Sequence, residues 1–406
     1  MTTKVRALLS LMVVLTCVGL PSCGHYTCHT TFGNATCNAS NPGIGGGGTT
    51  ASKAFIYYVG TGVLGGLELP PSLTIAPIPN FGTVSIPQPN TGSDLAIASK
   101  KFIYMPYAST AQLFAWSINS GGGVTALTGS PFAAPWAAGL PTANQPLTSI
   151  LVTPNGTFLY VSDAVDNQIV AFQIDPNTGA LTAVPGSPFS TLGLLTPFNL
   201  ATDGLGRFLY VTQGNAFGEG VGMAVFTIGS NGALSAGTIL PFNMWQVASE
   251  PTGFFLVGTR GETGTAPGGA LDANLHVFSI NQATGVITET AGSPVPTPNG
   301  PTRVIIHPNG KFVYDFNISK ATNFDGPVDG FQLSSTGTLT PITGSPFSTL
   351  SLPYGGYFDQ TGTYLFFHTT GAIGVWTVDS TTGVPTQLPT NQGGVGNFPW
   401  KVTDPQ

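Results

Sequence analysis

The chain has 406 residues, of which only 7% are Asp, Glu, Lys or Arg, against roughly 25% in an ordinary soluble protein. Its 11 Lys and Arg against 17 Asp and Glu leave a net charge of −6, which excludes the basic footprint of a nucleic-acid surface. With 55 Gly and 34 Pro, and few of the residues that clothe helix surfaces, the composition favours strands and turns.

The first segment reads as an export signal. Lys4 and Arg6 precede an apolar run from Ala7 to Leu20, shorter than the ~20 residues that span a bilayer as a helix. "LPSC", Leu20 to Cys23, resembles a bacterial lipobox, with Cys23 as the lipidated residue and Pro21 as a departure from the pattern. The expected location is the cell envelope, with the membrane reached only through that lipid, or secretion if Cys23 is not lipidated. Cys28 and Cys37 read as a small disulfide loop, as an exported pair would. Their spacing is wide for a zinc pair with His25 and His29, and neither metal nor cofactor is expected. The Gly-rich stretch from Asn41 to Ser52 reads as a tether. The expected division is a lipoprotein-type signal at 1–22, a Cys-containing tether at 23–52 and a folded domain at 53–406.

Within that domain a phrase repeats. An aromatic or apolar triplet recurs at Phe55, Phe102, Phe158, Phe208, Phe254, Phe312 and Tyr364, at intervals of 46 to 58 residues. Each triplet follows a short apolar strand and a tight turn, as in "HPNGK" from His307. Each precedes an alternating strand, such as "IVAFQI" from Ile169, then a second Gly turn and a fourth strand. Repeats of this length in a β-rich chain predict propeller blades. The fold class expected is all-β: seven four-stranded antiparallel blades, with residues 399–404 pairing into the blade begun at residue 54. "GSPF" recurs at Gly129, Gly186 and Gly344, with "GSPV" at Gly292. It reads as the end of an outer strand, stopped by a Pro that cannot extend the ladder, with Phe189 packed where two blades meet.

"HPNGKFVY", "TPNGTFLYVSD" and "FQIDPNTGALT" resemble the seven-bladed propeller lactonase family, which includes 6-phosphogluconolactonase-like and carboxymuconate-cyclising proteins with YVTN-type repeats. The resemblance covers residues 53–405 and implies that fold. It also implies a site rich in His, Arg and Glu near the inner-strand starts. At "GPTR", where the family often reads Gly-Pro-Arg-His, Thr302 and Arg303 stand in the last two places. "QPLTSILVTP" from Gln145 lacks the family's pair of His, and Ile318 stands where the family often has Glu.

Strand order places the long, varied loops on one face, where binding is usually found. Counting nine residues back from each triplet gives Ser93, Ser149, Asn199, Trp245, Arg303 and Gly355 as the inner-strand starts, and Lys401 aligns with them. Arg303, Lys401, Trp245 and Asn199 are the ligand-binding candidates: two cations for an anion and an indole for stacking. Arg260 and Glu262 on the loop face are further ligand-binding candidates, and Asp272 shares that face. His307 reads as a turn-stabilising residue, and Asp325 and Asp329 lack the spacing of a calcium loop.

Two functions are compatible with these residues. The first is a monomeric binding or scaffold module for a small anionic or carbohydrate-like ligand, or for an envelope protein. The second is a lactone hydrolase with a modified active site. The missing His and Glu favour the first.

Overall fold

The computed structural model describes residues 52–60, 62–87, 94–107, 110–136, 149–192, 197–214, 220–235, 237–260, 272–297, 300–317, 327–349, 353, 355–369, 372–388, 392–393 and 400–406, with residues 26–31 and 34–39 as backbone. The chain divides into two units, Met1–Thr49 and Thr50–Gln406. In the first, strands Tyr26–Thr31 and Asn34–Ala39 pair antiparallel with Cys28 opposite Cys37. The side chains that a disulfide would join lie outside the described residues, as do Cys23 and the export segment.

The second unit holds seven antiparallel sheets and, among the described residues, no α-helix. Their inner strands, blades 1 to 7, are Trp400–Thr403, Ala96–Ala98, Ile150–Val152, Pro197–Thr202, Gln246–Ser249, Arg303–Ile306 and Gly355–Phe358. Each touches the next, and Trp400–Thr403 touches both Gly355–Phe358 and Ala96–Ala98, so the ring closes. The closure is the expected one: Phe55 lies opposite Thr403, and Tyr58 opposite Trp400. A closed ring leaves no long sheet edge unprotected.

The triplets form the second strand of each blade. Every residue of Phe102–Tyr107 and of Phe158–Asp163 is buried, because both faces of a blade pack against neighbouring blades. This explains why the triplets are apolar throughout instead of alternating. Five of them carry a Tyr with a constant partner. The hydroxyls of Tyr57, Tyr104, Tyr160 and Tyr210 each donate at 2.8 Å to the carbonyl of Gly122, Gly179, Gly232 and Gly285 in the following blade. Tyr314 donates likewise to Gly383 at 2.5 Å. Gly179 has a φ of 71°, and a Cβ there would enter the Phe102 ring. That position therefore requires glycine.

Two expectations change. In blade 5 the repeat begins at Phe255, not Phe254. Phe255 lies opposite Ser279 as Phe312 lies opposite Gln332, and Phe254 is a turn residue with 53% of its surface exposed. The "GSPF" phrase also does more than stop a strand. Six of the seven sheets gain a short fifth strand; Phe189–Ser190, for example, pairs back onto Ile169 and Gln168. The outer edge is thus interrupted and resumed on the same third strand. At the interruption the Ser hydroxyl accepts the orphaned N–H. Ala115, Ala171, Val277 and Gly330 donate to Ser130, Ser187, Ser293 and Ser345, each at 2.9 Å. Phe189 packs in a cluster with Leu209 and Ala224 of blade 4, at the blade junction as expected.

Candidate functional site

The strand register sorts the channel wall into layers. Arg303 lies opposite Phe316, Gly355 opposite His368 and Gln246 opposite Thr259. These residues, with Ser149 and Asn199, make the outermost layer at the strand-start mouth. Gln246 therefore holds the place expected for Trp245, which is displaced by one residue for the same reason as Phe254. In blade 2, Ala96 lies opposite Tyr104, so the same layer falls on Asp94. Ser93 is outside the described residues. Lys401 lies opposite Tyr57, as Ile305 lies opposite Tyr314 and Tyr357 opposite Phe366. It is therefore one layer deeper than Arg303, not level with it.

Half of the mouth is occupied by fasteners between blades. Leu200 N–H donates to the Ser149 hydroxyl at 3.3 Å, and Val247 N–H to Asn199 Oδ1 at 3.4 Å. Gln246 makes two bonds to blade 6: its Oε1 accepts from Val304 N–H at 2.8 Å, and its Nε2 donates to Val304 O at 3.1 Å. In each case a mouth side chain satisfies the backbone of the next blade. Asn199 is thus architectural. Trp245 packs on Phe198 with ring centres 3.5 Å apart, so one face of the indole is covered by its own neighbour.

The fastening stops at Arg303, because a guanidinium has no acceptor to offer. From there the mouth holds charge. Arg303 is exposed, and among the described residues it has no carboxylate partner. Its chain lies over Gly355, where an added Cβ would come within 2.9 Å of Arg303 Cδ. Two residues deeper on that same blade 7 strand, Tyr357 oxygen accepts from Lys401 Nζ at 2.9 Å. The ammonium is also 3.4 Å from Asp94 Oδ1. Burial works to lower the Lys401 pKa, but the Asp94 carboxylate and Tyr357 outweigh it and hold the group above the ordinary lysine value. Lys401 is therefore a cation throughout the physiological range. Arg303, Tyr357, Lys401 and Asp94 come from blades 6, 7, 1 and 2 and form one continuous arc. The sequence reading found the two cations and missed Asp94 and Tyr357. The signal for Asp94 was the short Ser99–Lys100 turn, which shifts the blade 2 register.

The other loop-face candidates are arranged differently. Arg260 Nε lies 3.1 Å from Asp272 Oδ2. The same carboxylate is 3.0 Å from His276 Nε2, while His276 Nδ1 is 2.7 Å from Glu289 Oε1. These residues form a polar chain in blade 5, running from exposed Arg260 to buried His276, that the sequence did not reveal. Glu262 and Asp325 are outside the described residues. Asp329 is buried and accepts from Asn317 Nδ2 at 2.9 Å. Among the described residues no group of three or more His, Cys, Asp or Glu is placed to hold a metal ion.

At the opposite mouth the buried polar residues cap turns. Phe158, Phe208 and Phe255 N–H groups donate to Thr153, Asp203 and Glu250 at 3.0, 3.0 and 3.1 Å. His307 belongs to this set: Nδ1 accepts from Asn309 N–H at 3.0 Å, and Nε2 donates to Gly362 O at 2.9 Å. Its expected role in the turn follows from these two bonds.

The closed ring and its four- or five-stranded blades define the class, an all-β seven-bladed propeller. Within that class the chain is similar to the lactonase propellers. A family model described as "Lactonase, 7-bladed beta-propeller" matches residues 93–218. A 6-phosphogluconolactonase of Erwinia tasmaniensis is 28% identical over 239 residues, covering 58% of this chain and 62% of that protein. The chain spans less than two thirds of the length of the curated relatives it matches. Among solved structures, a putative 6-phosphogluconolactonase from Bacteroides uniformis gives a TM-score of 0.60 at 14% identity, covering 86% of this chain and 99% of that one. A periplasmic gluconolactonase from Pseudomonas aeruginosa gives 0.61 at 11% identity, covering 88% and 100%. At these identities the solved structures share the fold.

Proposed function

We propose that the chain hydrolyses the lactone of a sugar acid at the strand-start mouth. The observation that carries this reading is the charged arc from Arg303 to Asp94, set opposite a half-ring of fasteners. The family match and the names of the curated relatives favour this second expectation over the binding-module one. Arg303 anchors an anionic end of the substrate through its forked donors. Asp94 takes a proton from water as the water oxygen bonds to the lactone carbonyl carbon. The carbonyl oxygen gains negative charge, which Lys401 stabilises. Collapse breaks the ring C–O bond, and the leaving oxygen takes the proton back from Asp94. The product is the open hydroxy acid.

The departures at Thr302, Arg303 and Ile318 mean that this set differs from the one the resemblance implied. The export signal expected at 1–22 and the lipid anchor expected at Cys23 support an envelope location, in which the substrate is the lactone of an extracytoplasmic sugar acid. The test is a panel of five- and six-membered sugar lactones, phosphorylated and not, offered to the purified protein with hydrolysis read by acid release. Turnover lost in Asp94→Asn supports the reading. Binding of the same compounds without turnover would instead support a binding module.

A further inference from the structure

A cavity lies at the mouth opposite the Arg303 arc. Its volume is about 370 Å³, and its lining includes Ile97, Ser99, Lys100, Val152, Thr153 and Gln360. These come from the inner strands or first turns of blades 2, 3 and 7. The cavity has a topological cause. In most blades the turn after the inner strand is long enough to hold a Gly with positive φ, as at Gly156, Gly206 and Gly310. Blade 2 has only a three-residue turn, Ser99 to Lys101, in which Lys101 N–H donates to Ala98 O at 2.8 Å. Blade 1 has no such turn, because its inner strand Trp400–Thr403 and its second strand Ala54–Gly60 come from distant parts of the chain. Two neighbouring plugs of the channel are therefore short or missing.

The blade 2 turn is built against its own preference. Ser99 and Lys100 have φ of 49° and 61°, in the left-handed region that side chains other than Gly, Asn and Asp seldom adopt. Strain of this kind persists where surrounding structure fixes it, and it clusters at ligand sites. Here it presents a hydroxyl and an ammonium side by side at the cavity. Lys100 has three N–H donors; Asp404 Oδ2, at 3.3 Å, is its one carboxylate partner among the described residues, and a third of its side chain (34%) is exposed. Gln360 adds a carboxamide, while Ile97 and Val152 supply an apolar floor. Convergent polar groups over an apolar floor are the usual make-up of a small-molecule site.

We infer that this cavity is a second binding site, separate from the Arg303 arc, for a small hydroxylated carboxylate. The ammonium takes the carboxylate, Ser99 and Gln360 take hydroxyls, and the floor takes the carbon chain. The inference does not rest on the proposed hydrolysis.

The experiment is calorimetric titration of the Arg303→Ala protein with gluconate, which removes the first site's anchor. A saturable gluconate site is expected, weakened at least fivefold by Gln360→Ala and by Lys100→Met. Gln360→Ala leaves the Lys100–Asp404 pair intact, so it separates binding from ring closure. No saturable binding to Arg303→Ala, or binding that Gln360→Ala leaves unchanged, would overturn the inference.

Discussion

Lys401 Nζ donates to the Tyr357 hydroxyl at 2.9 Å and lies 4.4 Å from the centre of its ring. The contact joins the carboxy-terminal strand to blade 7, and Asp94 joins the same ammonium to blade 2. The far end of the strand is held in the same way: Asp404 Oδ1 accepts from Gln360 N–H of blade 7 at 3.1 Å, and Oδ2 pairs with Lys100 of blade 2 at 3.3 Å. One strand is thus clasped to both neighbours at both ends, where the ring has no covalent continuity. Lys401→Met removes the upper clasp and is expected to cost about 1–3 kcal/mol, the scale of a charge-assisted hydrogen bond, read as a lower Tm in thermal unfolding.

The same clasp carries a pH signature. The folded Lys401 value is raised, so its stabilisation is fully present below the unfolded lysine value, ~10.4. It is lost as pH rises from there through the folded value. Wild-type stability is therefore expected to fall toward that of Lys401→Met in alkali, and unfolding curves of both proteins across that range check it.

His307 gives the opposite sign. Burial lowers its pKa, against weaker opposing effects from Gly362, Asn309 and Asp359. The neutral ring is the folded form, so its contribution is full above the unfolded value of ~6.5 and is lost as pH falls through the lowered folded value. A His307→Asn protein is expected to lose part of the acid destabilisation below that pH, measured by urea midpoints.

Tyr314→Phe deletes the hydroxyl that satisfies the Gly383 carbonyl between blades 6 and 7. A buried acceptor left unpaired costs roughly 1–3 kcal/mol. The expected result is a lower urea midpoint with an unchanged slope and undiminished lactone turnover, since Tyr314 lies away from the arc.

The fold was legible because most blades repeat the same physics: an apolar second strand buried on both faces, and a Gly turn between the third and fourth strands. Ring closure was legible for the same reason, since "FPWKVTDP" is an inner strand with no second strand after it. The site was less so. Counting a fixed nine residues assumes equal turns and a correctly placed triplet; blade 2 breaks the first assumption and blade 5, whose repeat begins at Phe255, the second. The count therefore fell on Ser93 and Trp245 instead of Asp94 and Gln246. Whether a mouth residue binds a ligand or a neighbouring blade depends on contacts across sheets far apart in sequence. That separated Asn199, a fastener, from Arg303. The recurrence of "GSPF" was traceable to the blade junction, but the Ser hydroxyl as substitute acceptor required the strand's interruption to be seen.

The most direct test of lactone hydrolysis at the charged arc is steady-state hydrolysis of the best sugar lactone by wild type, Asp94→Asn and Arg303→Ala. Removing the base is expected to lower kcat by about 10²-fold or more, while removing the anchor raises KM with a smaller change in kcat. Wild-type turnover that survives Asp94→Asn and Arg303→Ala unchanged would contradict it.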